Sequence, residues 1–514
     1  MITVKGSGLS VVTEATKNSL NAIAASLAAK DPTLWGKDAE TEAAIRLNWI
    51  DLPITSRALL TELDALTAWS TSKSISTIVL AGMGGSSLAP EVIAKTYGKK
   101  LTVLDTTDPD QIKAAIPTEL AHSLIVVGSK SGSTIETASH KAFFTKLYQD
   151  AGLNPADHFV IVTDPGSPLD KSARADGLRV INADPNVGGR YSALSAFGLV
   201  PAALIGVDVS ILIDDAAAAA KTFTEPNSVA ATLAAALFDK GDQSVAFFDE
   251  GSDLPGLSDW IEQLIAESTG KNETGRLPIV IESDSAPTAG TGLRIGFKEG
   301  ANADLIVTGS LGEQFILWEW VTALLGFALK VDPFNQPNVT EAKERTGALL
   351  STWNDGKVPN FKPTFENEAL AIYSNSSATT LNGQLKAFLA NSNYYFAIMA
   401  YLARGIDNQA LYLREVIASK SGKATTFGWG PRFLHSTGQF HKGGQHNGAF
   451  LQITGENKAD LTIPHQNFTF HTLLMAQALG DGQALSDRKF PLVRIHLKNR
   501  ETGLALLLEE FSKL

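Results

Sequence analysis

The chain has 514 residues, 43 Lys+Arg against 54 Asp+Glu, a formal charge of −11 and no cysteine. Without cysteine there are no disulfides, iron–sulfur clusters, zinc ribbons or thiolate nucleophiles, and the acidic balance argues against nucleic acid or an anionic membrane as the main partner. The length leaves room for roughly three domains, and a composition of 44% hydrophobic and 19% charged residues can bury a sizeable core. The opening MITVKGSGLS lacks the basic-then-apolar pattern of a secretory leader. The most apolar window, Phe315 to Val331, is interrupted by Glu319 and too short to span a bilayer. The expectation is a soluble, cytoplasmic protein.

Residues 13–70 read as helical, with Leu20, Ile23 and Leu27 and later Ile45 and Trp49 at helical spacing, broken at DPTLWG. Four short β-branched apolar runs follow, at Thr77–Gly82, Leu101–Asp105, Leu124–Gly128 and Phe159–Thr163. Such runs suit strands buried on both faces. Helical stretches lie between them, including Ala89–Tyr97 and Thr134–Leu147. Alternation of this kind predicts a parallel sheet with helices on both faces. After an alanine-rich helix from Asp214, a second cycle has strand candidates at Ser244–Phe248, Pro278–Glu282 and Asp304–Thr308, with a helix over Asp259–Thr269. Trp318 and Trp320, in a helix with Phe315, read as packing residues rather than a sugar platform. Residues 351–382 are polar and aperiodic, a boundary or long loop, followed by a helix over Leu381–Arg404 and a mixed segment ending in the helix Leu504–Leu514. The expected units are 1–210 (N-terminal helices and a first α/β unit with phosphate-binding loops), 211–350 (a second) and 351–514 (a C-terminal segment).

Two loops follow strands directly and precede helices: Gly82-Met-Gly84-Gly85-Ser86-Ser87 and Ser129-Lys130-Ser131-Gly132-Ser133-Thr134. Ligands of open parallel sheets bind beyond the carboxyl ends of the strands, where helix N-termini offer unpaired N–H groups to anions. The first loop lacks the third glycine of a dinucleotide fingerprint, and the second lacks the Gly-Lys-Ser/Thr of a nucleotide P-loop. Hydroxyls and backbone N–H groups suit a phosphate monoester, with Ser129, Ser131, Thr134 and Ser86 as candidates. Either loop alone could be only a tight turn and a helix cap.

Asn186-Val-Gly-Gly189-Arg190-Tyr-Ser-Ala-Leu-Ser-Ala-Phe-Gly198 resembles the first signature of the phosphoglucose isomerase family. Phe334-Asn-Gln336-Pro-Asn338-Val-Thr340-Glu-Ala-Lys343 resembles the second, with Asn338 in place of the usual small residue and Thr340 in place of the usual Glu. Gln263-Leu-Ile-Ala-Glu267-Ser-Thr-Gly-Lys271 is similar to the segment that holds the family's catalytic glutamate. The resemblance covers roughly residues 75–343. It implies an α/β fold with two SIS-type (sugar isomerase) doubly wound parallel-sheet sandwich domains, wrapped by a C-terminal α+β segment, and a homodimer whose site is shared between subunits. The residue order is also similar to the isomerase half of bacterial transaldolase–phosphoglucose isomerase fusions. No transaldolase half is expected in this chain.

What the family resemblance implies in chemistry is the reversible isomerisation of D-glucose 6-phosphate and D-fructose 6-phosphate through a cis-enediol, in glycolysis and gluconeogenesis, with no metal and no cofactor. Glu267 is then the base; on spacing alone it could equally pair with Lys271. Arg190, after two glycines, would face the developing enediolate oxygen. Lys343 and a histidine would open the ring, with His441 preferred over His446 and His435, each within 433–446. Gly189, Gln263, Gln336 and Glu136 are expected to bind or arrange the sugar; Glu136 also suits the first turn of a helix in its own right. Histidine spacings of six and five do not make an i, i+4 metal pair. Two alternatives remain: an isomerase that also takes mannose 6-phosphate, and a non-catalytic SIS-type sugar-phosphate sensor.

Overall fold

The structure, a computed structural model, describes residues 2–288, 292–353, 357–391 and 394–514. Among the described residues the strands form three sheets. The first is all parallel, in the order Thr102–Leu104, Thr77–Gly82, Ser123–Gly128, Phe159–Thr163, Arg179–Asn182. Its central strands are buried along nearly their whole length, as their unbroken apolar runs require. Strand order reverses between Thr77–Gly82 and Ser123–Gly128, so the two phosphate-loop candidates emerge side by side at the switch point of the sheet.

The second sheet runs Leu305–Thr308, Leu293–Gly296, Ser244–Phe248, Leu277–Val280, all parallel, with Thr3–Lys5 added antiparallel at the Leu305–Thr308 edge. The expected division at residue 210 is thus crossed, because Thr3–Lys5 completes the second sheet. Between the two sheets, the N-terminal helices and the 19-residue helix Leu311–Leu329 share one apolar cluster. Trp318 and Trp320 are buried in it. So is Glu319, whose carboxylate oxygens find no partner and whose pKa burial pushes well up, so that it sits protonated in the core. Among the described residues no helix is long and apolar enough to cross a membrane.

Residues 365–497 build a third, six-stranded sheet. Leu492–Leu497, Gly448–Gly455, Tyr395–Ala400 and Ala424–Trp429 are parallel neighbours, with Leu370–Tyr373 and Phe365–Glu366 antiparallel at one edge. The expected helix over Leu381–Arg404 is therefore a helix, Leu381–Leu389, followed by a strand, Tyr395–Ala400. A run such as Tyr-Phe-Ala-Ile-Met-Ala, buried on both faces, has no periodicity to separate the two readings. The expected loop over 351–382 contains the two short edge strands, and its residues 354–356 lie outside the described residues. One face of this sheet packs on its own helices, and the other on the first two units. Arginines fasten it: Arg432 bridges Glu91 and Asp105 at 2.7 and 2.8 Å, and Arg500 reaches Asp108 at 2.6 Å. Buried pairs of this kind fix geometry more than they add stability. The C-terminal segment does cover the first two units, as an α/β layer of its own.

Candidate active site

The glycines of the first loop let four segments meet. A Cβ on Gly85 would lie 1.9 Å from the Gly189 carbonyl oxygen, and one on Gly84, at φ +56°, would lie 2.7 Å from Gln263 Nε2. With no Cβ at either place, the loop after Thr77–Gly82, the Gly189–Tyr191 turn, the helix Leu257–Thr269 and the turn Arg432–His435 close around one cavity. Its volume is about 340 Å³.

Glu267 and Gln263 line that cavity from successive turns of the Leu257–Thr269 helix. Gln263 Nε2 donates to Glu267 Oε2 at 3.1 Å and to the His435 carbonyl at 2.8 Å, which ties the carboxylate to the histidine-bearing turn. Lys271 does not pair with Glu267; its ammonium donates to the Asp332 carbonyl. Arg190 is buried and almost fully bonded: Nε to Ser268 Oγ at 2.7 Å, Nη1 to Gln336 Oε1 at 2.9 Å, and Nη2 to the carbonyls of Pro333 and Asn335 at 2.6 and 3.1 Å. One of its N–H groups is left over. That group is on Nη1, the atom 3.5 Å from Glu267 Oε1.

Lys343 reaches the cavity from the helix Pro337–Thr352. The neighbouring Glu341 is occupied with Arg345 and Arg488, so Lys343 has no ion-pair partner among the described residues. Asn338, one of the departures from the family pattern, anchors this helix. Its backbone N–H donates to Gln439 Oε1 at 2.9 Å, and its Oδ1 accepts from Gln439 Nε2 at 2.7 Å.

At the other end are Ser86, Ser129, Ser131 and Thr134, with Gly189 nearby. Thr134 is the N-cap of the helix Ile135–Asp150 and does not cap it with its side chain, leaving the first-turn N–H groups to a ligand. Two cations there escaped the sequence reading. Lys130, held to Asp164 at 2.6 Å, belongs to the loop itself, and Arg46 arrives from the N-terminal helical region. The loop position of Lys130 was a usable signal; Arg46 had none.

The histidines separate. His441, preferred from sequence, is not at the cavity. Its ring is buried against Tyr395, Phe433 and Phe450, neither nitrogen has a partner, and burial, with a smaller push from the Lys442 charge, lowers its pKa to about 3. His446 lies at the surface, 3.9 Å from Glu273. His435 lines the cavity, with Nε2 2.9 Å from Glu136 Oε1. The three rings thus do not converge on one point.

Glu136 faces a smaller cavity of about 170 Å³ that adjoins the first through Lys343 and His435. Burial opposes its ionisation, but the charge and hydrogen bond of His435, helped by Lys343, lower its pKa to about 2. Gln477 Nε2 also donates to Glu136, at 2.7 Å, and Gln477 Oε1 accepts from Thr107 Oγ1 at 2.6 Å. An ionised carboxylate only accepts, so His435 Nε2 carries the hydrogen, leaving Nδ1 for a substrate. His435 belongs to the same chain as Glu267, so the histidine does not have to come from a partner subunit as the resemblance implied.

Residues 58–287 match the family model described as phosphoglucose isomerase. Over that span the chain is similar to the phosphoglucose isomerase family. Ser86, Ser129, Glu136, Arg190 and Glu267 fall inside the matched span, whereas Gln336, Lys343 and His435 lie beyond it. A glucose-6-phosphate isomerase of Citrifermentans bemidjiense is 28% identical over 396 residues, 62% of this chain and 74% of that protein. The chloroplastic glucose-6-phosphate isomerase 1 of Arabidopsis thaliana is 36% identical over 210 residues, 38% of this chain and 34% of that one. Among solved structures, a glucose-6-phosphate isomerase from Chlamydia trachomatis matches with a TM-score of 0.50 at 22% identity, covering 58% of this chain and 74% of that one, a likeness of fold alone.

Proposed function

We propose that the protein is a glucose-6-phosphate isomerase that works in glycolysis and gluconeogenesis in the cytoplasm, interconverting D-glucose 6-phosphate and D-fructose 6-phosphate. The observation that carries the reading is the pairing of a carboxylate with a charged donor in one cavity: Glu267 Oε1 lies 3.5 Å from Arg190 Nη1. A sensor needs only the phosphate loops. A base beside an oxyanion donor has work to do only if a proton is moved.

The phosphate is held by Ser86, Ser129, Ser131 and Thr134 with the charges of Lys130 and Arg46. Ring opening falls to His435 and Lys343. Glu136 keeps His435 oriented, so that Nδ1 can exchange a proton with the sugar, while the unpaired ammonium of Lys343 stabilises the partner oxygen. Glu267 then takes the proton from C2 and returns it at C1, and the free Arg190 N–H binds the enediolate oxygen. Gln336 and Gly189 shape the wall beside the guanidinium, and Gln263 holds the carboxylate. No step calls on a metal or a cofactor.

The test is a coupled assay of glucose 6-phosphate formation from fructose 6-phosphate, with Glu267→Gln alongside. Turnover falling by about 10²–10⁴-fold in the variant is expected. Unchanged turnover in Glu267→Gln would place the base elsewhere, and tight fructose 6-phosphate binding without any turnover would favour the sensor.

A further inference from the structure

A separate and larger cavity, of about 810 Å³, opens between the C-terminal sheet and the helix Phe470–Asp487, and no residue of the isomerase site lines it. Its floor is a row of side chains across adjacent strands. Tyr373 is the register partner of Arg494, and Arg494 that of Gln452. Residues in register point to the same face of a sheet, here opposite the face that buries Ile372, Ile495 and Ile453.

The Arg494 guanidinium is stacked, 3.7 Å above the Tyr373 ring and 5.4 Å from the Phe361 ring. The Tyr373 hydroxyl engages part of the guanidinium, and stacking of this kind leaves the rest of its edge to a ligand. Arg494 is only 8% exposed, yet no carboxylate forms an ion pair with it among the described residues. Lys362 and Lys489 stand exposed at the mouth. In a chain with 54 acidic against 43 basic side chains, a cavity lined by three cations and no carboxylate runs against the composition. A desolvated guanidinium without a counter-charge is costly, and an anion would offset it.

The volume and the aromatic residues narrow the anion. This cavity is more than twice the size of the isomerase cavity of about 340 Å³, so a sugar phosphate would fill little of it. Phe361 is 42% exposed beside the cations, so a ligand in the cavity can still cover part of its ring. The amides of Asn375 and Gln483 offer donors and acceptors on the same walls. We propose that this cavity is a separate nucleotide site, with phosphates on Arg494, Lys362 and Lys489 and the base stacked on Phe361.

The site is tested by calorimetric titration of the whole protein with ADP, with fructose 6-phosphate at saturation to occupy the other cavity. ADP is expected to bind, Lys362→Glu/Lys489→Glu to weaken it at least tenfold with an unchanged melting temperature, and pyrophosphate to bind at least tenfold more weakly than ADP. Arg494→Gln should weaken ADP as well. No heat at millimolar ADP, loss of binding when fructose 6-phosphate is present, or indifference to the double variant would overturn the site. Pyrophosphate binding as tightly as ADP would overturn its assignment to a nucleotide. None of these outcomes depends on isomerase turnover.

Discussion

His435 and His441 belong to one short segment and have opposite surroundings. Burial, with a smaller push from Lys442, holds the His441 ring neutral, with its pKa near 3, and burial, partly opposed by a bond to the Thr106 carbonyl, lowers that of His140 to about 4. Once unfolded, both rings take up a proton at pH about 6.5. The unfolded chain therefore binds more protons than the native one below pH about 6.5, and stability falls with pH down to these lowered values. Glu136, with its carboxyl lowered to about 2, adds stability that is present above the ordinary glutamate range and is lost as pH falls through about 2. His441→Phe should keep turnover and, in urea unfolding at pH 7 and pH 5, should reduce the acid-induced loss of stability by about 2 kcal/mol. His435→Asn should instead lower kcat by about 10²-fold or more. The opposite pattern would return the role to His441.

The helix Pro337–Thr352 shows how an element places a reactive group. Asn338 and Gln439 exchange two hydrogen bonds at its first turn, and Gln439 Nε2 also reaches the Gly270 carbonyl at 3.0 Å, next to the helix of Glu267. Gln439→Ala should cost about 1–3 kcal/mol of stability through the buried groups left unpaired. The loops around Ser129 are untouched by that change, so kcat should fall with KM little altered, which steady-state kinetics would read; a raised KM with normal kcat would count against this role. Sequence exposed those elements whose pattern is unambiguous, namely Thr77–Gly82, Phe159–Thr163, Ser244–Phe248 and the helix with Glu267. It missed Arg179–Asn182 and Leu293–Gly296, which are short and partly polar, and it read Tyr395–Ala400 as helix. Within the site, Arg190, Glu267, Gln336 and Lys343 stood in recognisable motifs. Arg46, Gln477 and the choice of His435 depend on contacts between distant parts of the chain, for which local spacing carries no signal.

In the whole molecule, the third sheet is what completes the cavity. It carries the turn with His435 and is clamped to the first sheet by Arg432 and Arg500. Since one chain brings Glu267, Arg190, Lys343 and His435 to the cavity, specific activity should stay constant on dilution below the concentration at which sedimentation shows any dimer separating. A proportional fall in activity with dissociation would restore the shared site implied by the family resemblance. The strand Thr3–Lys5 bears on a different matter, the order of events on the ribosome. Thr3 and Thr308, paired across the edge of the second sheet, are 305 residues apart. Thr3–Lys5 must therefore wait, unpaired, while the whole first sheet emerges and folds. Until Leu305–Thr308 emerges, Thr3–Lys5 is a loose β-strand seeking an edge, and the second sheet closes only by reaching back for it.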